Sequence, residues 1–235
     1  MKNKIAFLAI TLAGFAISDV ALAQKSDTRS VAGITAVQVR SGIDLYLSQG
    51  NTESITIEYK GIDLEDIRAD IKNGVLSIYM DKKGNNWSWN WGKNSSVKVY
   101  LSFKQLNSIV AMGGSDVFSK GSLTFKDLNL NVSGGSDADL NLKAETLNVS
   151  SAGGSDTKLI GSVRNLNAES TGGSDLKAED LEVDICKVRA SGGSDAYVRA
   201  NKEIIVEATG GSDVYWYGKA RVVSQRSSGG SDVHH

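Results

Sequence analysis

Residues 147–176 read LNVSSAGGSDTKLIGSVRNLNAESTGGSDL, and this stretch decides the fold. It contains the tetrapeptide Gly-Gly-Ser-Asp twice, ending at Asp156 and Asp175. Leu147 and Leu166 stand at the same distance before the two tetrapeptides, within runs in which apolar and polar residues largely alternate. Because alternation with a period of two is typical of a strand with one buried face, each copy predicts a strand that leads into a turn.

The tetrapeptide occurs seven times, at intervals of 21, 19, 19, 20, 18 and 19 residues. The copies end at Asp116, Asp137, Asp156, Asp175, Asp195, Asp213 and Asp232. A repeat of about 19 residues is too short for a helical unit, and it fits one coil of a solenoid whose strands pair in parallel with the next coil. The sequence therefore predicts an all-β protein, a single-chain parallel β-helix with about seven short rungs. Because no hexapeptide period is present, a right-handed solenoid is favoured.

The paired glycines are predicted to be structural turn residues, because Gly accepts a positive φ without strain. In the four central copies they are Gly134, Gly135, Gly153, Gly154, Gly172, Gly173, Gly192 and Gly193. If the alternation continues through the turn, each Ser points inward and each Asp points to solvent. Stacked rungs would then bring seven carboxylates into one row.

Neighbouring carboxylates in such a row repel by about 1 kcal/mol per pair in water, so something must offset the repulsion. One interpretation is that each Asp accepts hydrogen bonds from Ser or backbone N–H groups in its own turn. The alternative is that calcium bridges carboxylates of adjacent rungs. We favour the turn and predict no cofactor, because the Gly-Gly-x-Gly-x-Asp pattern of calcium-binding repeats is absent and each rung supplies one carboxylate.

Residues 1–23 are predicted to be a secretory signal peptide, which would leave Gln24 as the first mature residue. Lys2 and Lys4 provide a positive start, residues 5–17 are apolar or small, and Ala21-Leu22-Ala23 resembles a cleavage site. An N-terminal membrane anchor is the alternative, but this apolar run is shorter than the about 20 residues that a bilayer crossing needs. We expect an exported protein in the periplasm, on the outer-membrane surface or outside the cell.

Composition excludes several function classes for the remaining chain. Its formal charge is −2, which indicates no nucleic-acid partner, and no second segment is apolar enough to predict a transmembrane helix. The single cysteine, Cys186, falls in an inward column and is predicted to be a buried apolar side chain. The histidines are His234 and His235, so neither a His-based catalytic triad nor a His metal site is predicted.

The chain is divided into a β region or solenoid cap over residues 24–104 and the repeat solenoid over residues 105–235. The first region alternates as strands do and contains Asn73-Gly74, a tight-turn dipeptide. Its strands are either hairpins or irregular first rungs that cap the solenoid. It also contains Trp87, Trp89 and Trp91, which either cover the solenoid end as core or form an exposed aromatic strip for binding sugars.

The layout resembles the bacterial family named putative autotransporter adhesin, head GIN domain, over nearly all of the mature chain. The resemblance rests on the strand and Gln-Gly of residues 37–50, on Leu76-Ser77-Ile78, on the repeated turns and on the late Tyr-Trp-Tyr-Gly of residues 215–218. The Pro-Leu typical of the strand before the first turn is replaced by Lys104-Gln105-Leu106. The resemblance implies secreted or surface β-solenoids of the Gram-negative cell envelope, with no catalytic residues.

We predict a non-enzymatic, adhesin-like surface or periplasmic binding module, because a solenoid presents long, rigid, polar faces suited to a glycan or an envelope protein. A polysaccharide-processing β-helix enzyme is the first alternative, and a carboxylate pair would be its requirement. The repeated Asp residues occupy equivalent environments, however, whereas such a pair needs different ones. An envelope scaffold protein is the second alternative.

Overall fold

The computed structural model describes residues 25–81 and 95–235, and strands dominate both segments. The strands of the first segment are β1 (Lys25–Ser30), β2 (Ala36–Arg40), β3 (Asp44–Gln49), β4 (Ser54–Lys60), β5 (Ile67–Lys72) and β6 (Val75–Met80), with a 3₁₀ turn at Leu64–Asp66. The second segment begins with β7 (Ser96–Phe103), β8 (Ser108–Met112), β9 (Val117–Ser119), β10 (Leu123–Ser133), β11 (Ala138–Ala152), β12 (Asp156–Thr171) and β13 (Asp175–Ala178). It ends with β14 (Leu181–Ser191), β15 (Asp195–Ala200), β16 (Glu203–Thr209), β17 (Asp213–Gly218), β18 (Arg221–Ser228) and β19 (Asp232–His234).

Within these two segments, no helix has the length and apolar character that a bilayer crossing requires. The predicted signal peptide, residues 1–23, lies outside the described residues.

Equivalent residues of successive copies pair in parallel and in register. Leu147 of β11 lies opposite Leu166 of β12, which lies opposite Cys186 of β14. Across the turn, Asp156 lies opposite Asp175. Each rung therefore adds one strand to a face that precedes the Gly-Gly corner and one strand to a face that follows it. The predicted all-β parallel solenoid is confirmed.

The chain does not enter the stack at its end. β2 pairs in parallel with both β6 and β8, and β3 pairs in parallel with both β7 and β9. Residues 36–49 therefore form a rung between the rung of β6 and β7 and the rung of the first Gly-Gly-Ser-Asp copy. Spatial order and chain order differ in this part of the molecule.

Antiparallel strands cover the end of the stack that lies beyond β6 and β7. β4 pairs with β7 and β1 with β4, while β5 pairs with β6. Asn73 and Gly74, at φ of 51° and 79°, make the tight turn between β5 and β6, as predicted. The N-terminal region thus contains both irregular rungs and hairpins, which pair backbone groups that an open parallel edge would leave free.

One hydrophobic core runs along the stack and contains the inward columns of the repeat. The inward columns stand two, four and six residues before each Gly-Gly pair, and four of their members are exposed instead: Asn107, Val223, Gln225 and Ser227. Asn107 precedes β8, and the other three belong to β18 of the last rung, which no further described rung covers. A register shift in β18 places Val222 opposite Ile204 and Ser224 opposite Ile205. Val223 therefore has no residue opposite it in β16.

Cys186 is buried in this core, with 1% of its surface exposed. Burial raises the pKa of its thiol to about 12. Because the thiolate is the nucleophile and the metal ligand, this side chain acts as a small apolar group.

The long strands β10, β11, β12 and β14 each bend once. Their parallel pairing is interrupted at one position per strand, and these positions are Lys126, Glu145, Arg164 and Asp184. Pairing resumes in register on the next residue, and the interrupted positions of neighbouring strands lie opposite one another. The bends are therefore stacked from rung to rung. A stack of equivalent bends makes a corner that runs along the solenoid axis.

Candidate functional site

Each Gly-Gly-Ser-Asp carries the chain around a corner between the two faces. Both glycines of every copy have φ between 63° and 79°. At the second glycine of the central copies, such as Gly154, an added Cβ would find no heavy atom within 4 Å. The requirement for glycine at that position is therefore conformational and not steric.

The serine of each copy points inward, as predicted, and is buried. In the early rungs its hydroxyl oxygen accepts the backbone N–H of the motif serine in the preceding copy. The Ser115 N–H donates to Ser136 Oγ at 3.0 Å, and the Ser136 N–H donates to Ser155 Oγ at 3.2 Å. In the late rungs the hydroxyl accepts an N–H of its own rung and also donates to a carbonyl of the preceding rung: Ser212 Oγ accepts the Thr209 N–H at 3.1 Å and donates to Ala190 O at 2.8 Å. These bonds satisfy backbone groups that the tight corner removes from the sheet ladder.

The aspartates form a row whose hydrogen bonds run between rungs. The Asp156 N–H donates to Asp137 Oδ1 at 3.0 Å, and the Asp137 N–H donates to Asp116 Oδ1 at 3.0 Å. At the other end, the Asp232 N–H donates to Asp213 Oδ1 at 3.0 Å. The predicted backbone donors are present, but they belong to the neighbouring rung and not to the same turn. An amide donor facing each of these carboxylates offsets part of the repulsion along the row.

A lysine offsets the charge in the middle of the row. Lys177 Nζ lies 3.4 Å from Asp175 Oδ2 and 3.8 Å from Asp156 Oδ2. The lysine side chain is 42% exposed, so the stabilisation from each contact is about 0.2–1 kcal/mol at most.

Sequence reasoning missed an eighth carboxylate, Asp44. The tetrapeptide Ser41-Gly42-Ile43-Asp44 occupies the corner of the rung between β2 and β3, and its first residue has a φ of 76°. Only Gly42 and Asp44 match the repeat, which is why the motif did not reveal it. Burial, with a further contribution from the Asp116 charge, raises the pKa of Asp44, while Lys98 opposes the shift.

Aromatic side chains occupy the outward column two residues after the aspartates, near both ends of the stack. Tyr46 stacks on Tyr100 and on Phe118, with ring centroids 5.1 Å apart in both pairs. At the other end, Tyr215 stacks on Tyr197 at 4.8 Å. Because these rings contact each other through their faces, they offer edges and hydroxyl groups to solvent and not an open shelf for sugar rings.

The stacked bends enclose an open groove of about 970 Å³ on the outside of the solenoid. Side chains of successive rungs line it, including Lys126, Lys143, Arg164 and Asp184, with Ser162 near the middle. Ser162 is exposed and lies opposite Lys143 on one side and Glu182 on the other. This groove follows the solenoid axis.

Trp87, Trp89 and Trp91 belong to the connection between β6 and β7 and lie outside the described residues. Their role as an aromatic binding strip stays a prediction.

We expect Asp137→Asn to leave stability unchanged or to raise it by up to about 1 kcal/mol. The asparagine oxygen can still accept the Asp156 N–H, while the change removes a charge that lies between Asp116 and Asp156. Asp137→Ala, which leaves that N–H without its acceptor, should cost about 1 kcal/mol. Urea unfolding of both variants measures the difference.

The same row gives the test for calcium. Millimolar calcium should leave the melting temperature of the protein unchanged if hydrogen bonds hold the row. A calcium-dependent rise of several degrees, lost when Asp156 and Asp175 are both changed to Asn, would show that cations bridge the carboxylates.

Comparison with known proteins gives a family and a set of similar folds. The model of the family described as "Putative auto-transporter adhesin, head GIN domain" matches residues 33–220. A search of curated proteins finds no match.

Among solved structures, a putative adhesin from Bacteroides fragilis superposes with a TM-score of 0.81 at 20% identity, covering 90% of this chain and 96% of that one. A putative adhesin from Parabacteroides merdae gives a TM-score of 0.70 at 17% identity, covering 90% and 95%. A putative lipid binding protein from Parabacteroides distasonis superposes with a TM-score of 0.65 at 14% identity, covering 90% of this chain and 97% of that one. At these identities the likeness shows a shared fold. The family match spans the capped first rungs as well as six of the seven Gly-Gly-Ser-Asp copies, and this chain belongs to the auto-transporter adhesin, head GIN domain family.

Proposed function

We propose that this chain is an exported, non-enzymatic binding module whose groove holds an extended ligand, either a glycan or a protein segment. This proposal rests on the groove, which continues across successive rungs of the parallel stack. A ligand that lies along the axis would contact equivalent positions of several rungs, so its contacts add without any movement of the protein.

The charge of the groove narrows the ligand class. Three basic and four acidic side chains line it, so its formal charge is −1. The signs are mixed along the groove, as Lys126, Glu145, Arg164 and Asp184 at the stacked bends show. Such a surface gives a polyanion no net attraction, and it supplies both donors and acceptors to a neutral or mixed-charge polymer.

Family membership supports binding over catalysis, since the family description and the similar structures name adhesins. Export is supported by the signal-peptide pattern of residues 1–23 and by the same adhesin description. The periplasm, the outer-membrane surface and the medium all fit this proposal.

Ser162→Trp should abolish ligand binding, because an indole in the middle of the groove takes the space of the ligand. Ser162 is exposed, so the change should leave the melting temperature nearly unchanged. Lys158→Trp is the matched control, on the same strand β12 but beyond the groove, at an exposed position of the face that carries the aspartate row. The measurement is a screen of the purified protein on glycan and peptide arrays, followed by titration of the hits.

If Ser162→Trp abolishes binding and Lys158→Trp retains it, the result supports the groove as the binding site. Equal binding by both variants would place the ligand elsewhere, and an absence of hits on both arrays would overturn the proposed function.

A further inference from the structure

The last two rungs bring three metal-ligating side chains together on the outer surface. Asp213 of β17 lies opposite Asp232 of β19, and Tyr215 lies opposite His234. One carboxylate oxygen of each aspartate and one ring nitrogen of His234 all lie within 4.8 Å of one another. Over residues 25–81 and 95–235, no other group of three such side chains meets this condition.

The histidine ring is held in place from one side. The His234 imidazole stacks on the Tyr215 ring, with centroids 4.6 Å apart and planes within 14°. Tyr215 in turn stacks on Tyr197. A ring that is already ordered by stacking gives up little freedom when one of its nitrogens binds a ligand.

The Asp213 carboxylate is held by a hydrogen bond as well. Asp213 Oδ1 accepts the Asp232 N–H at 3.0 Å, which fixes the first carboxylate against the backbone that carries the second. Among the residues that the structure describes, no lysine or arginine lies within ion-pair distance of either aspartate, in contrast to Asp156 and Asp175 beside Lys177.

Position explains why this group occurs once along the row. The residue two places after the motif aspartate is Phe118, Asp139, Lys158, Lys177, Tyr197, Tyr215 and, in the last copy, His234. Only the last of these adds an imidazole nitrogen to the carboxylates of the row. His235 is not part of the group, because its ring stacks on the inward-facing Trp216 at 3.8 Å.

We propose that Asp213, Asp232 and His234 form a binding site for one divalent transition-metal ion of the zinc class. An imidazole nitrogen with carboxylate oxygens suits zinc, cobalt or manganese, whereas calcium and magnesium prefer ligand sets made of oxygen. The ion would offset the repulsion between the two carboxylates and tie the terminal rung to the rung before it. Three protein ligands leave at least one coordination position for water or for a group of a ligand. The site is separate from the groove, so it does not depend on the function proposed above.

Zinc titration of the full chain without a polyhistidine tag tests the proposal. Calorimetry should show one site with a Kd on the order of 10 micromolar, since two of the three ligands are exposed and Asp213 is only partly buried. The melting temperature should rise with zinc concentration, since the ion binds only the folded arrangement. Millimolar calcium should not replace zinc.

His234→Ala should weaken zinc binding by on the order of tenfold or more, because it removes the nitrogen ligand. Asp213→Asn should weaken it similarly while keeping the acceptor for the Asp232 N–H. His235→Ala is the matched control, the same residue type one position away, and it should bind zinc as the parent does. Equal affinities for His234→Ala and the parent, equal losses in His234→Ala and His235→Ala, or no zinc binding in the micromolar range would each overturn the site.

Discussion

Gly161→Ala is expected to destabilise the protein by about 3–5 kcal/mol, more than a glycine substitution in an open turn. Gly161 has a φ of 118°, and a Cβ at this position would lie 2.1 Å from the carbonyl oxygen of Leu142 in the neighbouring strand. The strained φ alone costs about 1–3 kcal/mol for a residue with a side chain. The overlap with backbone adds to this, because β12 must move away from β11 and weaken ladder hydrogen bonds.

Gly154→Ala is the matched control for the backbone contact. Gly154 also has a positive φ, 73°, but open space surrounds its Cβ position, so the change should cost about 1–2 kcal/mol. Ser41, at the place of the first glycine in its own rung, has a φ of 76°, so an L-residue can adopt this backbone region within a corner. Urea unfolding midpoints of the two variants measure the difference, and equal losses would mean that the strand contact contributes nothing.

Leu166→Ala should destabilise the protein by about 2–5 kcal/mol. Leu166 is 1% exposed and lies in register between Leu147 and Cys186 of the adjacent rungs. Both neighbours are held by parallel ladders, so the rungs cannot close over the cavity, and the cost should fall in the upper part of this range. The free energy of unfolding from urea denaturation provides the measurement.

Glu169→Ala, an exposed outward position of the same strand, should change stability by less than about 0.5 kcal/mol. Equal losses at the two positions would reverse the assignment of the inner and outer faces. Outward Asn148 is a poorer control, because its amide donates to Asn129 Oδ1 at 2.9 Å and its own Oδ1 accepts from Asn167 Nδ2 at 2.9 Å. Removal of its side chain should cost about 0.5–1.5 kcal/mol.

The aspartate row was predicted from the sequence, whereas the group of Asp213, Asp232 and His234 was not. The seven aspartates were predicted to lie in one outward row, and the register of the strands places them there. The sequence predicts no His metal site, whereas stacking of the last copy brings His234 beside Asp213 and Asp232. Repeat alignment extended through the final copy, two residues beyond Asp232, is the signal that would have found it.

The sequence by itself determined the repeating unit, the parallel stack, the inward serines and the outward aspartates. These features follow from a period of two within each strand and from a glycine pair at each corner, both of which are local properties of the chain. Because every copy carries them in the same register, stacking the copies keeps each buried column continuous.

Tertiary structure decided which rung neighbours which near the N-terminus, where residues 36–49 lie between segments that come later in the chain. It also decided the groove at the stacked bends, the inter-rung donors of the aspartate row and the close approach of Gly161 to Leu142. Each of these depends on pairing between residues that are distant along the chain. A local pattern of alternation is compatible with several such pairings, and the free energy of the whole stack selects one of them.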